Sequence, residues 1–450
     1  MDLILIEPIS VEEYSKWLAK QESTIQSWLE RTRFRGERGE VALIPNGEGG
    51  LKKVIVGIES AGDYWSFGGL PRKLPAGEYR LGGDYSLEQL EQIALAWQLG
   101  CYQFKVYKKP QPIEAKLVFP ESIQRVVRPL TETIYLVRDL INTPTEDLGP
   151  AEFAEAVQQV AQEFQAKLQQ VVGDDLLKEN YPLIHAVGRA AENPPRLIDL
   201  TWGKTEHPKL TLIGKGITYD TGGLSIKPTS NMLLMKKDMG GAALALGLAR
   251  MIMLQQWPVR LRLLIGAADN AISGNSYRPG DVYFARNGKS VEVTDTDAEG
   301  RLVLADLLCE AAAEKPQWLF DFATLTGAQR VALGTDIPSF FTDHENIEHA
   351  LKKASKDKQE LLWQLPLYKD YKFALHSDIA DCANTSTSPY GGAINAALFL
   401  QQFVSADIPW CHFDLNAWNL RDLPGRPKGG EAQGFQAILA AMQALIASRV

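Results

Sequence analysis

Three separated segments carry residues whose types and spacing could do chemistry. The first is Lys215-Gly-Ile-Thr-Tyr-Asp220-Thr-Gly-Gly, continued by Lys227 in LSIKP. The apolar run LTLIG (210–214) leads straight into it, which reads as a strand delivering Lys215 and Asp220 onto a loop at its carboxyl end. Taken alone, that loop is open to reading as a structural turn, a phosphate cradle or a site. A Walker loop is excluded by the letters. Position 209 is Lys, and Gly216 follows Lys215 where Ser or Thr belongs.

The second segment is KKDMGG, with Asp238 just ahead of a helix rich in Gly and Ala. Alone, Asp238 reads as a cap, because an acid favours the positive end of the helix dipole. The third is Thr294-Asp-Thr-Asp297-Ala-Glu299-Gly-Arg301. In extended backbone, side chains alternate with period two, so Asp297, Glu299 and Arg301 would face one spot. A solvated acidic loop is the simple alternative. Gly300 and the apolar helix behind it instead place these residues at a strand–helix junction.

Clustered carboxylates without a cation repel one another and resist desolvation. Hard divalent ions remove both difficulties: oxygen ligands suit magnesium and manganese, and zinc also accepts carboxylates. Asp220, Asp238, Asp297 and Glu299 supply four negative charges, which balance two such ions. Lys227 and Arg301 are then left as free cations suited to stabilising an anion. No HExxH or closely spaced His pair is present, which argues against helix-borne single-zinc hydrolases. The residues thus reach a carboxylate-rich two-metal hydrolase, although the convergence of three segments is not readable from the letters.

The elements that must position them follow from periodicity. Candidate strands are LTLIG, RLRLLIGAA (260–268), WLFDFA (318–323) and WCHFDL (410–415), alternating with candidate helices GGAALALGLARMIMLQQ, RLVLADLLCEAAAEK and GAINAALFLQQFV. That alternation predicts an α/β fold, a mostly parallel sheet with helices on both faces. In such sheets, ligand sites gather at the carboxyl ends of the strands. Residues 1–118 mix short apolar runs with helical ones between Gly- and Pro-rich turns, which predicts a smaller α/β domain without evident chemistry. A connecting helix is expected over 119–142, then a catalytic domain over 143–450, with Asp147 or a neighbour capping its first helix.

Length and charge bound the function. A chain of 450 residues exceeds one ordinary core. Its net charge of -8 disfavours nucleic acid as a partner. MDLILIEPIS lacks a basic lead-in and reads as a first strand, and the most apolar helical stretch (239–254) is too short to span a bilayer, so no membrane association and a cytoplasmic location are expected. Cys101, Cys309, Cys382 and Cys411 form no CxxC pair and read as reduced thiols.

IGKGITYDTGGLSIKP, MKKDMGG and TDTDAEGRLVLAD, in this order and spacing, resemble the signature of the leucyl (cytosol) aminopeptidase family. The similarity continues through FATLTGA (322–328), GGAINAALFL (391–400) and WCHFDLNAW (410–418); the first 118 residues match only in position and approximate class. The resemblance implies that Asp220 and Glu299 bridge two metals, with Asp297 completing one site and Lys215 and Asp238 the other. Lys215 would then bind as a neutral amine, its usual pKa of about 10.4 overcome by the ion. Met235, Thr324, Leu325 and Gly327 match positions that line the pocket or bind substrate backbone. Lys227 would donate to the oxyanion, and Arg301 would hold a bicarbonate ion serving as general base. The implied cofactors are two divalent ions per subunit, manganese or zinc, with magnesium also admissible. The implied substrates are peptides with a free amino end, leucine and other apolar residues first, and the implied assembly is a homohexamer made of two trimers. Thr221 and Asp295 depart from the family's usual Ser and Asn. Asp295 reads either as a local hydrogen-bonding loop residue or as a border of the pocket for the first side chain.

Overall fold

The computed structural model describes residues 3–448, and contacts divide the chain into two compact units. One reaches Tyr135 and takes in the late segment Leu420–Lys428; the other runs from Leu136 to Asn419 and resumes at Gly429. The boundary falls inside a long helix, Glu121–Asn142.

The first unit is built on a five-stranded sheet. Its order is Val41–Pro45, Leu51–Ile58, Ile4–Ser10, Gly77–Leu81, Ala115–Leu117, parallel except for the pairing of the first two. Ile6, Val54, Ile55, Val56 and Tyr79 are fully buried in it. The helix Leu87–Gly100 is started by Ser86, whose hydroxyl accepts from Gln89 N while the Gln89 side chain accepts from Ser86 N.

The second unit carries an eight-stranded sheet. Its order is Trp363–Gln364, Ser339–Phe341, Trp410–Asp414, Trp318–Ala323, Lys209–Asp220, Arg260–Asn270, Arg196–Trp202, Lys167–Val172. The four strands from Trp410–Asp414 to Arg260–Asn270 are parallel, as is the outermost pair at the Trp363 edge; the other three pairings are antiparallel. Near-continuous apolar runs in the central strands reflect burial on both faces.

Two glycines show how the helices cover those faces. A Cβ on Gly214 would stand 2.4 Å from Ala242 Cα, so the helix Gly240–Leu254 lies directly on that face. A Cβ on Gly266 would stand 2.3 Å from Val303 Cγ1, which puts the helix Gly300–Ala313 against Gly266. Gly214 is paired with Ile265 and Lys215 with Gly266, so the two helices cover opposite faces. Close packing of helix on sheet thus requires the absent side chain at both positions.

Lys215 and Asp220 are not on a loop. The strand continues through both, because Arg260–Asn270 pairs with it to the last residue, and the turn starts only at Thr221. Asp238 does not cap the helix behind it either. Met239 holds that position with no side-chain hydrogen bond, and the Asp238 carboxylate is engaged elsewhere. The first helix after the boundary, Pro150–Glu163, starts at Gly149, whose N–H donates to Glu152, so the cap position is not Asp147.

Candidate metal centre

Lys215 and Asp220 are five residues apart, an odd number that in a regular strand would send them to opposite faces. The pairing slips between Ile217 and Tyr219: Ile217 faces Ala268, Tyr219 faces Asp269, and Thr218 is the extra residue. This β-bulge restores the even spacing. Lys215 pairs with Gly266 and Asp220 with Asn270, which lie four residues apart on an uninterrupted strand, so both site residues reach one face. Thr145 Oγ1 donates to Thr218 O at 2.6 Å and secures the bulge.

Asp220 is held by its neighbours. Its Oδ1 accepts Asn270 Nδ2 at 2.8 Å and Gly222 N at 2.9 Å, and its Oδ2 lies 2.8 Å from Lys227 Nζ. Lys227 also pairs with Asp297. Lys227 thus lies between two of the four carboxylates. Across the site, Lys215 Nζ stands 2.8 Å from both Asp238 Oδ2 and Glu299 Oε1 and donates to Thr324 O at 3.2 Å. Thr324 Oγ1 donates in turn to Asp238 Oδ1 at 2.7 Å.

The third segment converges by another route than an extended backbone. Thr296 and Asp297 form a turn, Glu299 has helical angles, and Gly300–Ala313 is helix, so the period-two argument does not apply. The turn is tied down by Asp295 Oδ1, which accepts Asp297 N at 2.9 Å, and by Asn270 Nδ2, which donates to Thr296 O at 3.0 Å. Asp295 thus takes the local role of a loop carboxylate. Arg301 turns away from Asp297: its Nη1 donates to Asn384 O at 2.6 Å.

Carboxylate oxygens of Asp220, Asp297 and Glu299 lie within 4.8 Å of one another, and Asp238 joins them through Lys215. Burial, and then the charge of Asp220, push Glu299 up to about 8 and Asp297 up to about 6. Burial also opposes ionised Asp238, but Lys215 and Lys237 outweigh it and hold its pKa below the usual range. Burial disfavours the Lys215 ammonium too, yet Asp238, Glu299 and Asp220 raise its pKa above the ordinary value. Lys227 is likewise raised, Asp220 and Glu299 overcoming burial. These opposed shifts describe acceptor-only oxygens crowded around positive charge. Asp238 Oδ2 and Glu299 Oε1 are buried and accept no well-aligned hydrogen bond, Lys215 being their counter-charge. That donor set fits hard divalent cations.

Of the other expected site residues, Thr324 is buried beside Asp238, Met235 and Leu325 are half-buried, and Gly327 is exposed at the start of the helix Gly327–Leu333. Arg301 is buried, burial moves its guanidinium down to about 10, and its Nε has no partner.

Three residues of this neighbourhood escaped the sequence reading. Asn270 and Asp414 each end a central strand, and that position at the carboxyl edge was the available signal. Asp414 Oδ1 accepts Leu325 N at 2.9 Å and Thr326 N at 3.1 Å, and its Oδ2 accepts Thr326 Oγ1 at 2.6 Å, which shapes the 324–327 loop. Lys237 is 3% exposed, and burial is the main cause that takes its amine down to about 7; Asp238 opposes this, and Arg330 and Lys215 reinforce it. Its only signal was its place beside Asp238.

Comparison with known proteins matches residues 135–439 to the cytosol aminopeptidase family, catalytic domain, and residues 4–120 to the M17 aminopeptidase, N-terminal domain. A probable cytosol aminopeptidase of Chlamydia abortus is 36% identical over 442 residues, 90% of this chain and 88% of the relative. Among solved structures, the cytosol aminopeptidase from Coxiella burnetii is 50% identical, with a TM-score of 0.95, over 98% of this chain and 97% of that one. The bottromycin maturation enzyme BotP, in a complex with Mn, is 30% identical with a TM-score of 0.87, over 98% and 99% of the two chains.

Proposed function

Because the chain belongs to the cytosol aminopeptidase family and is accordingly a metal-dependent peptide hydrolase, we propose that it removes leucine and other apolar residues from the free amino end of peptides, using two divalent ions. The observation that carries this reading is the meeting of three chain segments in one carboxylate cluster, Asp220, Asp297 and Glu299 within 4.8 Å and Asp238 across Lys215. In this reading Asp220, Glu299, Asp297, Asp238 and Lys215 would hold the two ions. Zinc and manganese both suit the set and magnesium is admissible; the complex of BotP with Mn favours manganese.

Divalent ions held there supply Lewis acidity, which lowers the pKa of a water and polarises the scissile carbonyl. The chain's own groups do the rest. Lys215 is held as an ammonium by three carboxylates and would hold an ion only as the neutral amine. Lys227 stays protonated near neutral pH, which suits its Nζ to donate to the developing oxyanion, an interaction stronger in the transition state than before it. Arg301 would hold a bicarbonate ion as general base; its buried, unpartnered Nε is the donor that supports this. Met235 and Leu325 offer apolar surface to the first side chain, while Thr324 and Gly327 bind substrate backbone.

The same reading includes a hexamer of two trimers and a cytoplasmic location. Val331, Tyr390 and Phe373 are 90%, 80% and 70% exposed on the neighbouring segments around Gly327–Leu333, Gly392–Gln401 and Lys369–Leu375, an apolar surface suited to burial between subunits. Among the described residues, no helix is long and apolar enough to cross a membrane. The test is amino-acid release from leucyl peptides after chelation and reloading with defined metals. Activity should vanish, return with manganese or zinc, and be absent on peptides with blocked amino ends. Full activity in protein shown to be metal-free by elemental analysis would sink the proposal.

A further inference from the structure

The turn that carries Asp297 and Glu299 is gripped from a side that the proposed mechanism does not use. Val282–Phe284, Ser290–Glu292 and Cys382–Ala383 form a small sheet, separate from the eight-stranded one. Ser290–Glu292 runs into the turn, and Cys382–Ala383 lies parallel to it with Ala383 opposite Glu292. Both strands end there, so the next residue, Asn384, comes beside the entry to the turn. Its N–H donates to Glu292 O at 2.8 Å, the last backbone rung. Beyond that rung its side-chain amide, which offers the same donor and acceptor as a peptide group, continues the ladder. Oδ1 accepts Thr294 N at 2.8 Å and Asp295 N at 3.3 Å, and Nδ2 donates to Asp295 O at 2.7 Å. Nδ2 also donates to Ala298 O at 3.3 Å, on the far side of Asp297.

One fully buried amide thus closes both ends of the 294–298 segment, with both of its hydrogens used and no water to compete for them. We propose that Asn384 is a positioning residue, which sets the places of Asp297 and Glu299 and through them how tightly the ions are held, without itself touching ion or substrate. Asn270 holds the same turn at its middle, through Thr296 O, and Asp220 with it. Asn384 is what fixes its entry and exit. Asp220 and Asp238 lie on other segments, so a change at Asn384 acts on one half of the carboxylate set. A ligand on loose backbone must be ordered when its ion binds, and losing a group behind the ligands typically weakens a metal by about 10–100-fold. The inference rests on the two-metal reading and adds the residue that organises one of its segments.

The experiment titrates manganese, against a competing chelator, into the stripped full-length protein as wild type, Asn384→Ala, Asn384→Ser and Glu360→Ala, with thermal melts of the same stripped forms. Glu360 accepts Gln436 N at 2.8 Å and Ala437 N at 3.2 Å at the start of the helix Phe435–Ala447, so its loss destabilises the fold without reaching the turn. Asn384→Ala should weaken manganese at least about tenfold. Asn384→Ser, whose hydroxyl can keep one end of the turn, should weaken it less, and Glu360→Ala should lower Tm alone. Leucyl hydrolysis by Asn384→Ala should fall at limiting manganese and return when manganese saturates. Unchanged affinity in Asn384→Ala overturns the proposal. So does an equal weakening in Glu360→Ala, which makes the effect general destabilisation, and so does a loss of hydrolysis that saturating manganese leaves in place. If the alanine variant does not fold, the serine variant decides by the same outcomes. Manganese binding by the wild type tests the parent reading separately, so unchanged affinity beside a wild type that binds removes only the role of Asn384.

Discussion

Asp414 gives the sharpest structural test, because one buried carboxylate organises the 324–327 loop, the segment proposed to hold the first residue of the substrate. It is fully buried and serves three donors: Leu325 N at 2.9 Å, Thr326 N at 3.1 Å and Thr326 Oγ1 at 2.6 Å. Thr326 is also the N-cap of Gly327–Leu333, its hydroxyl oxygen accepting Gln329 N at 3.1 Å. Asp414→Ala strands the Thr326 N–H inside the protein, whereas Leu325 is half-buried and its N–H can find water. One stranded donor costs about 1–3 kcal/mol, and two weakened contacts bring the expected loss to about 2–4 kcal/mol. At about 2–4 °C per kcal/mol, Tm should fall by roughly 4–16 °C. Asp414→Asn keeps an acceptor for the backbone donors and lets the hydroxyl accept from its amide, so its loss should stay below about 1.5 kcal/mol. Thermal melts and leucyl-peptide kinetics should rank wild type, Asn, Ala, with KM rising in that order as the loop loosens. An alanine variant matching the wild type in both Tm and KM would refute the reasoning.

Lys227→Ala should lower kcat by about two to three powers of ten with much less change in KM, the size typical of one lost oxyanion donor; loss of metal or of folding instead would make Lys227 structural. Glu310 lies 2.7 Å from Arg262 and 2.6 Å from Arg286, and although burial opposes it, these partners lower its pKa. A depressed carboxylate contributes stability above its unfolded pKa of about 4.3 and loses it as pH falls through the lower folded value. Glu310→Gln should therefore melt below the wild type at pH 7, with the gap closing in melts near pH 3; a constant gap would contradict the linkage. Light scattering should report roughly six chains per particle. A fully active monodisperse monomer at micromolar concentration would count against the assembly.

Local patterns of residues were enough to place much of this protein. The apolar runs at 210–214, 260–268, 318–323 and 410–415 are strands, and the Gly- and Ala-rich stretches between them are helices, because burial on both faces of a parallel sheet leaves little freedom in side-chain type. Residue types alone also led to a carboxylate-rich centre, since four acids beside small residues and apolar helices have few cheap environments other than a cation site.

What tertiary structure decided is where each of those groups points. The bulge at Thr218 reverses the facing of Asp220, and no letter in ITYD announces it, because a bulge depends on the partner strand as much as on its own. The acids at 297 and 299 meet through a turn set by Asn270 and Asp295, not through an extended backbone. Lys227 pairs with Asp220 and Asp297, contacts made across 7 and 70 residues of chain, which local periodicity cannot register. Leu420–Lys428 clusters with the first unit although it lies near the far end of the chain. Periodicity reports burial, which is a local average over neighbours; direction and pairing are set by long-range contacts, and these exist only once the chain has closed on itself.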